Sequence, residues 1–138
     1  MSIRRTFDLL DRYQELFDRG EVLNVKSKGK WISYSTREYV DLSHEFAYGL
    51  LAQGYKKGDK IATITNNRPE WNFVDMAISQ IGAIHVPLYP NIFEDEYEYI
   101  LNHSESKYVF ISSEIIYNKV KNSLDKSPAL KDIYTFEK

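Results

Sequence analysis

Three places along the chain combine residue types and spacing that could do chemistry. The first is Asn67-Arg68-Pro69-Glu70-Trp71. Here an amide and a guanidinium stand where a strand gives way to a helix, and a helix N-terminus with its unpaired N–H groups attracts anions. The same residues have a plainer use, which we favour: Pro69 and Glu70 suit a first helical turn and Trp71 can pack in a core. The second place is Val86-Pro87-Leu88-Tyr89-Pro90-Asn91. Its two prolines fix an extended exit from a strand, and ligands of open α/β sheets gather at the C-terminal ends of strands. Tyr89, Pro90 and Asn91 are therefore the foremost ligand-facing candidates, against a loop with a partly buried tyrosine. The third is the acidic run Glu94, Asp95, Glu96 and Glu98. It lacks the alternating ligands and central glycine of a calcium loop, and reads as a solvated first helical turn.

Other chemistries find no support. The turn after residues 61–65 is Asn66-Asn67-Arg68-Pro69, without the glycines that let backbone approach a pyrophosphate. Gly29-Lys30 lacks the upstream glycine of a phosphate loop. His44, His85 and His103 are not spaced for a shared metal, and no serine sits in a nucleophile elbow. Paired catalytic carboxylates stay open, but nothing selects a pair. Hence no catalytic residue and no metal ligand is assigned. Zero cysteines remove disulfides and thiolate chemistry and are compatible with a reducing cytoplasm. A net charge of -2 with interleaved signs gives no long-range field for nucleic acid or for an anionic membrane surface. No run of ~20 apolar residues spans a membrane, and Arg4, Arg5, Asp8, Asp11 and Arg12 interrupt any signal-peptide core.

The elements that position these residues follow from periodicity. Leu9, Leu10, Tyr13, Leu16 and Phe17 recur at helical spacing, predicting an amphipathic helix over 6–18 that ends at Gly20. Residues 22–25 and 31–34 are extended runs joined by the polar, glycine-bearing stretch 26–30, a hairpin. Ser35-Thr36-Arg37-Glu38 has the capping-box pattern, starting a helix that runs from residue 36 to 52 or 53 and stops at Gly54. Strands follow at 61–65, 83–86, 108–111 and 133–136. Between them lie helices marked by Val74, Ala77, Ile78 and Ile81, by Tyr97, Ile100 and Leu101, and by Ile116, Val120 and Leu124. Strands that alternate with helices pack back as a mostly parallel α/β sheet. We expect residues 1–35 to form helix plus hairpin and 36–138 the β/α repeat region. The last strand has no helix after it to cover it, so we expect an incomplete piece of a larger N-terminal domain, prone to self-associate through an exposed sheet edge.

Gly58-Asp59-Lys60-Ile61-Ala62, Asn67-Arg68-Pro69-Glu70-Trp71 and the stretch from Gly82 through Val86-Pro87-Leu88-Tyr89-Pro90 stand in one order with Trp31, Tyr34, Gly49-Leu50, Gly54 and Tyr99-Ile100-Leu101. Over residues 6–111 this series resembles the N-terminal part of the adenylate-forming acyl-CoA synthetases, most of all the AMP-forming long-chain fatty acid CoA ligases. Asn91-Ile92 departs from the threonine-led turn more common in that branch. The resemblance implies a parent enzyme that joins a fatty acid to AMP from ATP with Mg2+ and then passes the acyl group to the thiol of CoA. It implies that Tyr89, Pro90 and Asn91 lie near the CoA nucleotide and that catalytic residues come after Lys138, since the Ser/Thr/Gly-rich phosphate loop is not within residues 1–138. The segment alone is then inactive, and the enzyme is cytoplasmic, with peripheral membrane association left open. Two further readings share these residues: another adenylating enzyme, such as a fatty acyl-AMP ligase, and a free-standing non-enzymatic α/β binding module.

Overall fold

The computed structural model describes residues 3–137. Two compact units are present, residues up to 55 with 68–82, and residues 56–67 with 83 onward.

The first unit opens with α1, Asp8–Leu16. It stops before the expected residue 18 because the chain is captured sideways. The Thr36 hydroxyl donates to the Phe17 carbonyl at 2.7 Å and accepts from the Arg19 N–H at 3.0 Å. Phe17 leaves helical backbone at φ -135. The hairpin is present as β1, Leu23–Ser27, antiparallel to β2, Lys30–Tyr34. Its turn is Lys28-Gly29, with φ 49 and 78, the double positive φ that matches the right-handed twist of paired strands. The helix α2, Thr36–Ala52, carries the full capping box: the Glu38 N–H donates to Ser35 Oγ at 3.2 Å, and the Ser35 N–H donates to Glu38 Oε2 at 2.7 Å. The helix α3, Pro69–Gln80, begins with Pro69 where a missing donor costs nothing. Leu10, Tyr39, Val40, Phe73 and Met76 form the core of this unit. Phe73 lies 5.3 Å from Tyr34 edge-on and 5.9 Å from Tyr39. Trp71, expected in the core, is only half-buried, and Phe73 takes the inward position two residues on.

The second unit holds a four-stranded sheet of β3, Lys60–Ile64, β4, Ile84–Leu88, β5, Tyr108–Ile111, and β6, Asp132–Thr135. All pairings are parallel, in the order β4-β3-β5-β6. The α/β class read from the alternation is therefore correct. Between the strands run α4, Glu94–Ser104, and α5, Glu114–Asp125. Their residues Tyr97, Leu101, Ile116, Val120 and Leu124 pack with Ala62, Ile64, Leu88, Val109 and Ile111 in one apolar core. Ile61, Thr63, Tyr108 and Phe110, which alternate with these along β3 and β5, are buried too, as central parallel strands require. The strand β4 runs two residues past the expected end and includes Pro87. It has β3 as its one partner strand among the described residues, and an edge strand tolerates a missing donor.

Candidate functional site

The C-terminal ends of β4, β3 and β5 lie level, with Leu88, Ile64 and Ile111 in one row. The strand order reverses there. From β3 the chain steps to β4 on one flank and then crosses to β5 on the other, the topology whose carboxyl-end crevice is the usual ligand position in open α/β sheets.

Tyr89, Pro90 and Asn91 leave β4 at this edge. The Tyr89 side chain is 78% exposed. Its backbone is held from below, since the phenol of the fully buried Tyr97 donates to the Tyr89 carbonyl at 2.9 Å. Lys119 on α5 donates from Nζ to the Pro90 carbonyl at 2.8 Å, and the same ammonium lies 5.7 Å from the centre of the Tyr97 ring, within cation–π range. Burial pushes the Tyr97 phenol above its ordinary range, with the Glu96 charge adding to the effect, so it stays a donor. The Phe93 N–H is taken by Glu96 Oε2 at 2.8 Å, which starts α4 and leaves the Phe93 ring in solvent. The acidic run opens α4: Glu94 and Asp95 lie exposed in its first turn, Glu96 closes the helix start and Glu98 pairs with Lys126 at 3.1 Å. Two exposed aromatic faces beside a fixed loop and a lysine can receive a flat ring and an anionic group.

On the neighbouring strands, Ser112 and Ser113 follow β5. The Asn66 N–H donates to Ser112 Oγ at 3.3 Å, the Ser112 N–H donates to the Ile64 carbonyl at 3.1 Å, and Ser113 Oγ caps α5 by accepting from the Ile116 N–H at 3.4 Å. Sequence does not single out Ser112 or Lys119, and it places Tyr97 only on the apolar stripe of a helix. For Ser113 the signal was there, a serine just ahead of a helical period. For Lys119, which reaches back 29 residues, there was none.

The other chemical candidates are spent structurally. Arg68 grips Glu70 with two bonds of 2.9 and 2.8 Å, and that guanidinium holds the Glu70 carboxyl below its usual range. The plain helix-start reading of this segment fits. His85 Nε2 lies 2.9 Å from Thr63 Oγ1, but Thr63 is fully buried, so this nucleophile-and-base pair has no path to a substrate. His103 stacks on Tyr99 at 5.5 Å in the last turn of α4. Among the described residues no three His, Asp or Glu side chains converge. A cavity of 490 Å³ in the first unit is lined by Tyr13, Phe17, Val22 and Leu23 with Arg19 and Thr36. The buried Thr36 hydroxyl on its wall already serves Phe17 and Arg19, and burial keeps the phenol of Tyr39, which also lines it, protonated, so the cavity is a packing feature.

The sequence profile of a family described as AMP-binding enzyme matches residues 14–137. Fatty acyl-CoA synthetase A of Dictyostelium discoideum is 34% identical over 110 residues, 73% of this chain and 16% of that protein. Long-chain-fatty-acid–CoA ligase FadD15 of Mycobacterium bovis is 26% identical over 121 residues, 88% of this chain and 18% of that protein. The crystal structure of the anthranilate CoA ligase AuaEII in complex with anthranoyl-AMP superposes with a TM-score of 0.82 at 20% identity, over 96% of this chain and 25% of that one. The chain thus spans less than a fifth of the length of these curated relatives.

Proposed function

The chain belongs to the AMP-binding enzyme family, and from that premise we propose that it is the opening scaffold of an ATP-dependent acid–thiol ligase that activates a fatty acid as acyl-adenylate and passes it to CoA. The observation that carries this reading is the family match across residues 14–137, joined by two curated relatives named for fatty acyl and long-chain substrates. Residues 1–138 then form the N-terminal part of the large adenylate-forming domain.

ATP and Mg2+ are given no site among the residues described. No glycine-rich phosphate loop follows β3, and no three carboxylates or histidines come together. No step through them is assigned to this chain. CoA does fit. Tyr89 and Phe93 offer exposed rings for an adenine, Lys119 brings a cation to the Pro90 carbonyl, and Asn91 adds an exposed amide. When bound, CoA supplies the thiol that accepts the acyl group. The work of this chain is to hold the Tyr89–Asn91 loop still, through Tyr97 and Lys119.

In a longer enzyme containing this chain, pyrophosphate release should require a fatty acid, and acyl-CoA should form. Release by residues 1–138 alone would sink the proposal, and transfer to a carrier protein in place of CoA would reassign the acceptor. Among the described residues the outer flanks of β4 and β6 have no partner strand, which supports self-association of the isolated chain, read by analytical ultracentrifugation. No helix among the described residues is long and apolar enough to cross a membrane.

A further inference from the structure

The hairpin β1–β2 carries charge and an aromatic ring that have no part in the candidate site after β4. Between Glu21 and Glu38 the sequence holds Lys26, Lys28, Lys30 and Arg37 and no acid, in a chain whose net charge is -2. Arg37 is drawn to Asp41 at 3.9 Å. Lys26, Lys28 and Lys30 are exposed and form no ion pair among the described residues.

Their placement is set by the turn. Lys28 and Gly29 form its two central residues, so Lys28 stands at the tip, and the register sets Ser27 opposite Lys30 and Lys26 opposite Trp31. Side chains alternate along a strand, so Lys26 and Trp31 share one face with Asn24 and Ser33. The latter two tie the strands through a 2.6 Å hydrogen bond from Ser33 Oγ to Asn24 Oδ1. The opposite face belongs to Leu23 and Tyr34, which pack against the core of the first unit. Trp31 therefore stands on the outward face, 69% exposed, with Lys26 paired across from it, Lys28 at the tip and Lys30 on the other face of the same exposed end.

That combination matches a bilayer surface with anionic lipid. An indole is most at home at the boundary of headgroup and acyl chain, and lysine stems lie along apolar surface while their ammonium groups meet lipid phosphates and carboxylates. We propose that the tip of the β1–β2 hairpin is a peripheral anchor for membranes containing anionic phospholipid, with Trp31 at the interface and Lys26, Lys28 and Lys30 on the headgroups. The ligase reading neither requires this nor depends on it.

The test is co-sedimentation of the full chain with phosphatidylcholine vesicles made with and without phosphatidylserine, in the absence of any substrate. Binding should need phosphatidylserine and weaken as salt is raised. Replacing all three lysines (Lys26→Gln, Lys28→Gln, Lys30→Gln) should lower partitioning roughly a hundredfold, from about 1 kcal/mol per lysine. In a Trp71→Phe background, vesicles should shift Trp31 emission to the blue. All four hairpin side chains are exposed, so far-UV circular dichroism should stay unchanged in the lysine variant and in Trp31→Ser. Equal binding by wild type and lysine variant, equal binding to vesicles without phosphatidylserine, or an unshifted Trp31 overturns the proposal. So does tighter binding to single-stranded DNA at the same salt, which would assign the surface to nucleic acid.

Discussion

The phenol of Tyr97 and the carbonyl of Tyr89 are joined by a 2.9 Å hydrogen bond that runs from the middle of the apolar core to the rim of the sheet. One tyrosine is buried so that the other can be held in solvent. Packing and candidate function meet in that bond, which shares the loop with the Lys119 bond to the Pro90 carbonyl.

Tyr97→Phe keeps the packed ring and deletes only the donor. The expected cost is about 1 kcal/mol in urea unfolding, the typical net worth of one buried hydrogen bond. An unchanged midpoint would mean that the loop is fixed by Lys119 alone.

Tyr89→Ala should leave stability unaltered, since the side chain is 78% exposed. In the longer enzyme it should raise the KM for CoA about tenfold with kcat nearly constant, the result of losing one stacking surface used equally in ground and transition states. A constant KM removes Tyr89 from the CoA approach.

Ser35→Ala removes the oxygen that accepts from the Glu38 N–H and should destabilise the first unit by about 1 kcal/mol. Thermal unfolding followed by circular dichroism reads this directly. Ser35→Asp, another strong capping residue, should recover most of the loss.

Asp59 and Lys107 pair at 2.8 Å across the N-terminal ends of β3 and β5. The Lys107 hydrogen bond holds the Asp59 carboxyl below its usual range, helped by the Lys56 N–H, while Asp59 raises the lysine. For the depressed aspartate, the stabilisation is complete above its unfolded pKa and lost as pH falls through the lower folded value. For the raised lysine, it is complete below the unfolded pKa and lost as pH climbs through the higher folded value. Urea midpoints for wild type and Asp59→Asn should therefore differ most near neutral pH and converge in strong acid. A gap independent of pH would show that the pair contributes through shape alone.

Much of the architecture could be read from local pattern. Ser35 and Glu38 stand three apart and do what that spacing predicts, and the stripe Val74, Ala77, Ile78 falls on α3 as its period demands. The misses have tertiary causes. The first helix ends early because Thr36, nineteen residues away, takes the Phe17 carbonyl. The strand β4 outlasts the prediction because Pro87 lies on an edge, which nothing local to the proline reveals. The helix α4 ends at Glu105 with φ 53, where no glycine marks a stop. At the candidate site the exit at Tyr89 is readable from the two prolines on either side of it, Pro87 in the strand and Pro90 beyond it. Its supports are not, because Lys119 and Tyr97 reach the loop through packing that leaves no trace in local spacing.

The strand order β4-β3-β5-β6 also bears on synthesis. β3 leaves the ribosome first, yet one of its flanks waits for β5, and 47 residues separate Ile64 from Ile111. At about 5–20 residues per second, that flank stays bare for roughly two to nine seconds. During that time Ile61, Ala62 and Ile64 present an unpaired apolar edge to any neighbouring nascent chain. Translation speed across residues 65–107 is thus part of what decides whether β3 finds its own partner or another copy's.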